Sequence, residues 1–187
     1  MPLTTDVLIQ ELAFDTVPTG GTPALALKVQ RLTATLGDPW LEKMCRLGLA
    51  AAAGKSPVGI SYVASRFLPD GAELTFKAGE GFMSLSPTLR LEVAGEGAGQ
   101  VRIKVAEIRS AMPVEKIVGP FLDKLIDSLC ARPGVQRHPT EPRAVLVSMN
   151  TMLQARGLTF SEDALWMVSG QPGELTIQLQ SKDLPPS

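Results

Sequence analysis

An apolar stripe in residues 112–132 constrains the fold of this chain more than any other feature of its sequence. The apolar side chains in it recur three and four residues apart, which is the spacing of one helix face. They are Val114, Ile117, Val118, Phe121, Leu122, Leu125, Ile126 and Leu129. The stripe predicts a helix of roughly 30 Å that begins near Pro113, kinks at Gly119-Pro120 and ends before Pro133-Gly134.

Residues 60–109 follow a different period. Apolar residues alternate with polar ones at Ile60 and Tyr62, at Leu74, Phe76 and Ala78, at Leu89, Leu91 and Val93, and at Val101, Ile103 and Val105. A period of two predicts antiparallel strands with one apolar face, and the glycine-containing segments between them predict tight turns. After Val105 the alternation slips to Ala106 and Ile108, which predicts a bulge.

The remaining segments supply further elements. Residues 6–14 and 24–32 flank a stretch rich in proline and glycine, which predicts a hairpin. Asp38-Pro39 has the composition of a helix start, and the apolar spacing that follows predicts a helix over residues 38–53. Three more strands are predicted within residues 144–149, 165–168 and 174–180, with a short helical turn at 150–157.

Together these elements predict an α+β fold in which long amphipathic helices pack on a strongly curved antiparallel sheet. The chain has 187 residues, of which 44% are apolar, and this is enough for one domain with its own core. Two pseudo-equivalent halves, about 1–58 and 59–182, are an alternative that the sequence leaves open. Residues 183–187 are predicted to form a loose tail.

Charge and hydropathy exclude several functional classes. The 18 basic and 19 acidic residues give a net charge of −1, so there is no basic surface to attract nucleic acid. No apolar run approaches the roughly 18 residues of a membrane span, so any membrane contact is expected to be peripheral. The N-terminal residues lack the features of a secretory signal, and we expect a cytoplasmic protein if Met1 is the native start.

The sequence contains no convincing catalytic or cofactor motif. Gly54-Lys55-Ser56 resembles the end of a phosphate-binding loop, but Leu49 replaces the first glycine and Pro57 opposes the helix that should follow. His138 is the only histidine and is expected in an exposed connector, without the companions that zinc or a catalytic triad requires. We therefore expect no enzyme activity, no cofactor and no metal.

Two cysteines, Cys45 and Cys130, fall on the apolar sides of the predicted helices. Free cysteine packs like a small apolar residue, so two buried thiols are the favoured interpretation. A disulfide or a reactive thiol is an alternative that two isolated cysteines cannot exclude.

The second half of the chain has an order of elements that is similar to a known family. Leu89 to Val93, Val101 to Val105, the helix from Val114 to Leu129, Val145 to Met149 and Gly173 to Leu179 carry this order. It resembles the TULIP-like superfamily, in particular the bacterial LmeA-like phospholipid-binding domains. The resemblance implies a long helix wrapped by a curved antiparallel sheet, with a groove between them that holds acyl chains in relatives.

The leading functional hypothesis is non-enzymatic binding of a lipid, a fatty acid or another apolar molecule between the long helix and the sheet. The candidate lining residues are Phe76, Leu91, Ile103, Val114, Ile117, Phe121, Leu125 and Trp166. The alternative is a dry core and a role in protein–protein contact, for example as a homodimer through an exposed sheet edge. Cavity volume separates the two hypotheses, because a ligand site needs roughly 300 Å³ or more.

Overall fold

The computed structural model describes residues 6–18, 25–52, 59–79, 84–97, 99–110, 115–154, 158–160 and 164–181. Within these residues the helices are α1 (Asp38–Ala52), α2 (Glu115–Cys130) and α3 (Met149–Gln154). The strands are β1 (Val7–Pro18), β2 (Leu25–Gly37), β3 (Ile60–Leu68), β4 (Gly71–Ala78), β5 (Thr88–Gly95), β6 (Gln100–Arg109), β7 (Val135–Arg137), β8 (Ala144–Ser148), β9 (Leu158–Phe160), β10 (Leu165–Gln171) and β11 (Glu174–Gln180). The predicted tail, 183–187, lies outside the described residues.

The strands form two sheets. The first sheet has the order β1-β2-β11-β10, and β9 pairs with β2 in parallel beside the end of β11. The second sheet has the order β3-β4-β5-β6-β8-β7, and all its pairings are antiparallel. Strands from the beginning and the end of the chain therefore share the first sheet, while the middle of the chain builds the second.

The predicted α+β arrangement, with long amphipathic helices on one strongly curved sheet, is wrong. The described residues are mostly antiparallel sheet, and the helices have 15, 16 and 6 residues. At 1.5 Å per residue α2 is about 24 Å long, shorter than expected. It ends at Cys130 because Arg132 precedes Pro133, a position that disfavours helical backbone. Hydrophobic periodicity indicated which face of each strand is apolar, but not that the strands divide between two sheets.

Several local predictions are confirmed. α1 occupies Asp38–Ala52, and β1 and β2 form the predicted hairpin with strands of 12 and 13 residues. The predicted bulge occurs between β5 and β6, where Leu91 pairs with Val105 and Arg90 pairs with Glu107, so that Ala106 has no opposite residue. The short helical turn predicted after β8 is α3.

Two connections join the sheets closely. The Gly170 N–H donates to the Pro69 carbonyl at 3.1 Å, and a side chain at Gly170 would force its Cβ against the Leu68 carbonyl oxygen. At the start of α1, the Asp38 carboxylate accepts a 2.7 Å hydrogen bond from the Phe67 N–H. These contacts fix the β10 edge of the first sheet and the start of α1 against the second sheet.

The core has two clusters between these layers. One joins both sheets to α2 and includes Leu36, Phe67, Leu89, Leu122 and Leu175. The other joins β2, β6, β10 and β11 around Trp166 and Phe160, whose ring centroids are 5.2 Å apart in an edge-to-face arrangement. Such aromatic pairs are worth about 0.5–1.5 kcal/mol beyond their buried area. The second sheet thus has its apolar face covered partly by the first sheet and partly by helices.

Candidate ligand-binding groove

A cavity of about 200 Å³ lies between α1, α2 and the apolar face of the second sheet, and it is partly open to solvent. The helices contribute Cys45, Gly48 and Leu49 from α1 and Leu122, Leu125, Ile126 and Leu129 from α2. The sheet contributes Leu74, Phe76, Leu89, Leu91, Ile103, Val105 and Val145, and Arg143 completes the lining. We call this cavity the groove.

The groove follows from two sequence periods that meet. Alternate residues of a strand point to the same face, and the register pairs Leu74 with Leu89 and Leu91 with Val105, so the apolar side chains of neighbouring strands lie side by side. In α2, the lining residues Leu122, Leu125, Ile126 and Leu129 are spaced by three and four, which places them on one helix face. The apolar face of the second sheet therefore lies opposite the apolar faces of the two helices.

The structure brings together four of the residues predicted to bind a ligand, and these are Phe76, Leu91, Ile103 and Leu125. Trp166 lies elsewhere, in the second core cluster, because β10 belongs to the first sheet. Ile117 and Phe121 belong to α2, but their side chains are not among those that the structure describes, and Val114 lies outside the described residues.

α1 contributes a wall of the groove that the sequence did not predict. Its lining residues Cys45 and Leu49 continue the spacing of four from Leu41, which is buried in the core. That spacing marked an apolar helix face, but it did not indicate which sheet the face would cover. Arg143 gave no signal at all, because it stands between a proline and a strand in a polar segment.

The Cys45 thiol forms part of the groove wall and is uncharged near neutral pH. Burial raises its pKa to about 11, and the nearby Glu42 carboxylate adds to the effect. Both Cys45 and Cys130 are free and half-buried in the structure, as opposed to fully buried. The groove wall therefore presents a neutral thiol and not a reactive thiolate.

Among the described residues that line the groove, Arg143 is the one that carries a charge. Its backbone has a φ of 57°, and its carbonyl accepts a 3.0 Å hydrogen bond from the Val105 N–H. Its Nη2 atom lies 3.2 Å from the position that a Cβ would take at Gly119. The guanidinium group therefore lies against α2, one helical turn before Leu122.

The opposite face of the second sheet carries charged side chains that are paired within the chain. Arg102 contacts Glu141 at 2.7 Å and Glu96 at 3.2 Å, and Lys104 lies 3.4 Å from Glu141. The hydrogen bond from Arg102 lowers the pKa of Glu141, and the same bond raises the pKa of Arg102. The two basic and two acidic side chains in these pairs balance each other, so this cluster offers no net charge to a ligand.

His138 is not exposed as predicted, because 8% of its side-chain surface is accessible. Its Nδ1 accepts the Glu141 N–H at 3.0 Å, so Nε2 carries the proton and donates to Glu96 at 3.0 Å. Within the part of the chain that the structure describes, no group of three or more potential ligands could hold a metal ion. The histidine thus anchors the segment that leads to Arg143.

A second apolar surface lies on β1, at the edge of the first sheet. Val7, Ile9, Leu12 and Phe14 pair with Leu36, Ala34, Leu32 and Val29 of β2 and share a face with them. On β2 this face is buried at Leu36 and Val29, whereas the four β1 side chains are 41–58% exposed. We call these four residues the β1 stripe.

The acidic residues of β1 lie on the face opposite the β1 stripe and have partners in β2. Glu11 accepts a 2.8 Å hydrogen bond from Arg31, and Asp15 accepts one of 2.9 Å from Gln30. The β1 stripe itself therefore carries no charge, and the carboxylates on the opposite face of β1 are already hydrogen-bonded to side chains of β2.

Comparison with family models, with curated proteins and with solved structures finds no match for this chain. The resemblance to the TULIP-like superfamily therefore stays a prediction. In the part of the chain that is described, no helix is both long and apolar enough to cross a membrane.

Proposed function

We propose that the protein binds, without catalysing a reaction, a molecule with a single alkyl chain in the groove. The observation that supports this proposal is the cavity of about 200 Å³, lined almost entirely by aliphatic and aromatic side chains and partly open to solvent. Small-molecule sites are concave and mostly apolar with few polar groups, and the groove has this composition.

The cavity volume of about 200 Å³ is smaller than the roughly 300 Å³ expected above for a ligand site, so the groove can hold only part of a lipid-like molecule. Sites that enclose drug-sized ligands have volumes of about 300–1,000 Å³, and an apolar cavity of about 150 Å³ accommodates benzene. A volume of about 200 Å³ fits one alkyl chain or a ring, with the remainder of a longer ligand outside. It does not enclose the two chains of a phospholipid, so the groove favours a single-chain ligand within the predicted lipid-like class.

The chemistry of the walls favours alkyl groups over polar ones. Each methylene transferred from water to an apolar site contributes about 0.8 kcal/mol, which is roughly a fourfold gain in affinity. A polar group placed against the same walls would lose its hydrogen bonds to water without replacement.

A chain-length series of alkanols tests the proposal. Isothermal titration calorimetry with hexanol, octanol, decanol and dodecanol should show affinity rising by up to about fourfold per methylene until the groove is filled, and then levelling off. Leu125→Trp should block binding by filling the groove, whereas Leu165→Trp, on an exposed position of β10, should leave it unchanged. Absence of binding for the whole series would overturn the proposal.

A second candidate function is self-association through β1. Its outer edge has no strand partner among the described residues, and the β1 stripe is uncharged and exposed. A long apolar edge strand exposes unpaired backbone N–H and C=O groups, which can form hydrogen bonds with a strand of another chain. The acidic residues of β1 are already hydrogen-bonded to β2, so a neutral apolar partner fits the β1 stripe best. A second copy of the chain offers such a surface, because a two-fold axis brings the same stripe of both copies together.

Sedimentation at several protein concentrations tests this second function. A concentration-dependent dimer that is lost in Ile9→Lys, but retained when the exposed Val63 of β3 is changed to Lys, would support it. A monomer at all concentrations would reject self-association, and it would leave the groove as the functional site.

A further inference from the structure

The backbone around Arg143 places its side chain beside the groove. The Val105 N–H donates to the Arg143 carbonyl at 3.0 Å, and β8 begins at the next residue, Ala144. Ala144 is buried, and the register aligns it with Lys104 of β6. The Arg143 backbone is thus held against β6 at the start of β8.

The conformation of Arg143 is unfavourable for its residue type. Its φ of 57° lies in the left-handed region, where a side chain with a Cβ is strained and glycine or asparagine is preferred. Among the described residues, it is the one non-glycine with a positive φ. Strained backbone of this kind occurs often at ligand sites, where it positions a side chain for binding despite the loss of stability.

Gly119 gives the guanidinium group its room beside α2. A Cβ at position 119 would approach Arg143 Nη2 to 3.2 Å, closer than an ordinary van der Waals contact. Larger side chains would displace the guanidinium group from this helix turn. The strained backbone of Arg143 and the absence of a side chain at Gly119 therefore both position the Arg143 guanidinium group.

We propose that Arg143 binds the anionic head group of a single-chain amphiphile whose alkyl chain occupies the groove. This inference rests on the ligand groove proposed above. A guanidinium group has five N–H donors in a planar fork, so it can hold a carboxylate or a phosphate in addition to its contacts within the chain. The other lining residues that the structure describes carry no charge, so among them Arg143 offers the favourable position for an anionic end.

Three ligands with the same ten-carbon chain test the inference. Decanoate, decyl phosphate and decanol are titrated calorimetrically into the wild-type protein and into Arg143→Gln. Hydrogen bonds to charged groups contribute about 10- to 100-fold in affinity, so at least one anion should bind the wild type about tenfold or more tightly than decanol. A preference for decanoate indicates a fatty acid, and one for decyl phosphate indicates a phosphorylated lipid.

In Arg143→Gln the anions should bind no more than about threefold better than decanol, with all three ligands measured on the same variant so that the preference is read as a ratio. Arg143→Lys should keep part of the preference, since it retains the charge and loses the planar fork. Arg90→Gln, a change to an exposed ion pair with Asp70, is the matched control and should keep all of it. Arg143→Gly, which removes the backbone strain, shows whether any loss reflects the side chain and not folding.

The outcomes separate this inference from the proposed function. If the wild type binds decanol and the anions equally, the groove is functional and the role of Arg143 is rejected. If Arg143→Gln and Arg143→Gly remain folded and keep the preference for anions, the role of Arg143 is also rejected. If none of the three ligands binds, both proposals fail.

Discussion

The apolar face of the second sheet and the β1 stripe come from the same kind of sequence, yet only one of them is covered. Leu89 on β5 is 4% exposed beneath the helices, whereas Ile9 on β1 is 58% exposed. Both belong to strands whose apolar residues meet across a pair. The difference teaches that alternation identifies an apolar face, while the connections α1 and α2 decide whether that face becomes a core, a groove or an open surface.

The positions of the two helices explain the difference. α1 follows β2 and packs mainly against β3, and α2 follows β6 and packs mainly against β7 and β8. Both helices lie over the second sheet, and the space left between them is the groove. The first sheet packs its other strands into the core, but β1 extends beyond the cover that the second sheet provides.

The largest contrast is expected from truncating one leucine on each surface. Leu122 is 1% exposed in α2, so Leu122→Ala should lower the free energy of unfolding by about 2–5 kcal/mol. Leu12→Ala, at a residue 49% exposed on the β1 stripe, should change it by no more than about 0.5 kcal/mol. Urea denaturation at low protein concentration measures both values, and equal effects would mean that the β1 stripe is covered.

The second-largest difference is expected in the rate at which cysteines on the two surfaces react with an alkylating reagent. In a Cys130→Ser background, Cys45 should react with iodoacetamide at pH 8 at least about tenfold more slowly than a cysteine placed at Ile9, because its pKa is raised to about 11. The Cys45 rate should rise steadily as the pH approaches 11, and mass spectrometry follows it. Rapid labelling of Cys45 at pH 8 would contradict a buried, neutral groove wall.

A smaller effect is expected from Gly48→Ala in α1. No atom lies within 4 Å of the added Cβ, and alanine favours helix over glycine, so the protein should become more stable by about 0.5–1 kcal/mol. Thermal denaturation measures the change. Since Gly48 lines the groove, affinity for decanol measured on the same variant shows whether the added methyl reaches the ligand. A loss of stability would indicate that α1 packs more closely than described.

The smallest effect concerns the charged face opposite the groove. The folded-state pKa of Glu141 is lowered by the hydrogen bond from Arg102, so this pair contributes stability above the ordinary carboxyl pKa and loses it as the pH falls through the lowered value. Glu141→Gln should therefore lower the melting temperature slightly at pH 7, and its difference from the wild type should shrink as the pH falls below the ordinary carboxyl pKa. Alkanol binding should be unaffected at pH 7, and a change there would couple this face to the groove.

The sequence predicted local elements well where one period dominated a segment. α1 follows from apolar residues spaced by four after Asp38-Pro39, and the bulge at Ala106 follows from a visible slip in alternation. Four groove residues, Phe76, Leu91, Ile103 and Leu125, followed from the same periods. Each of these depends on interactions between residues close in the chain or in adjacent strands.

The sequence by itself determined most of the helices and strands and which of their faces are apolar, because these properties repeat locally. It did not predict the short strands β7 and β9 or the extension of β2 to Gly37. Tertiary structure alone decided that β10 pairs with β11 in the first sheet, which takes Trp166 away from the groove, and that Arg143 lies next to Gly119. It also decided that the helices cover the second sheet and leave β1 open. The physical reason is that pairing and packing between distant segments depend on how surfaces fit, which no local period records.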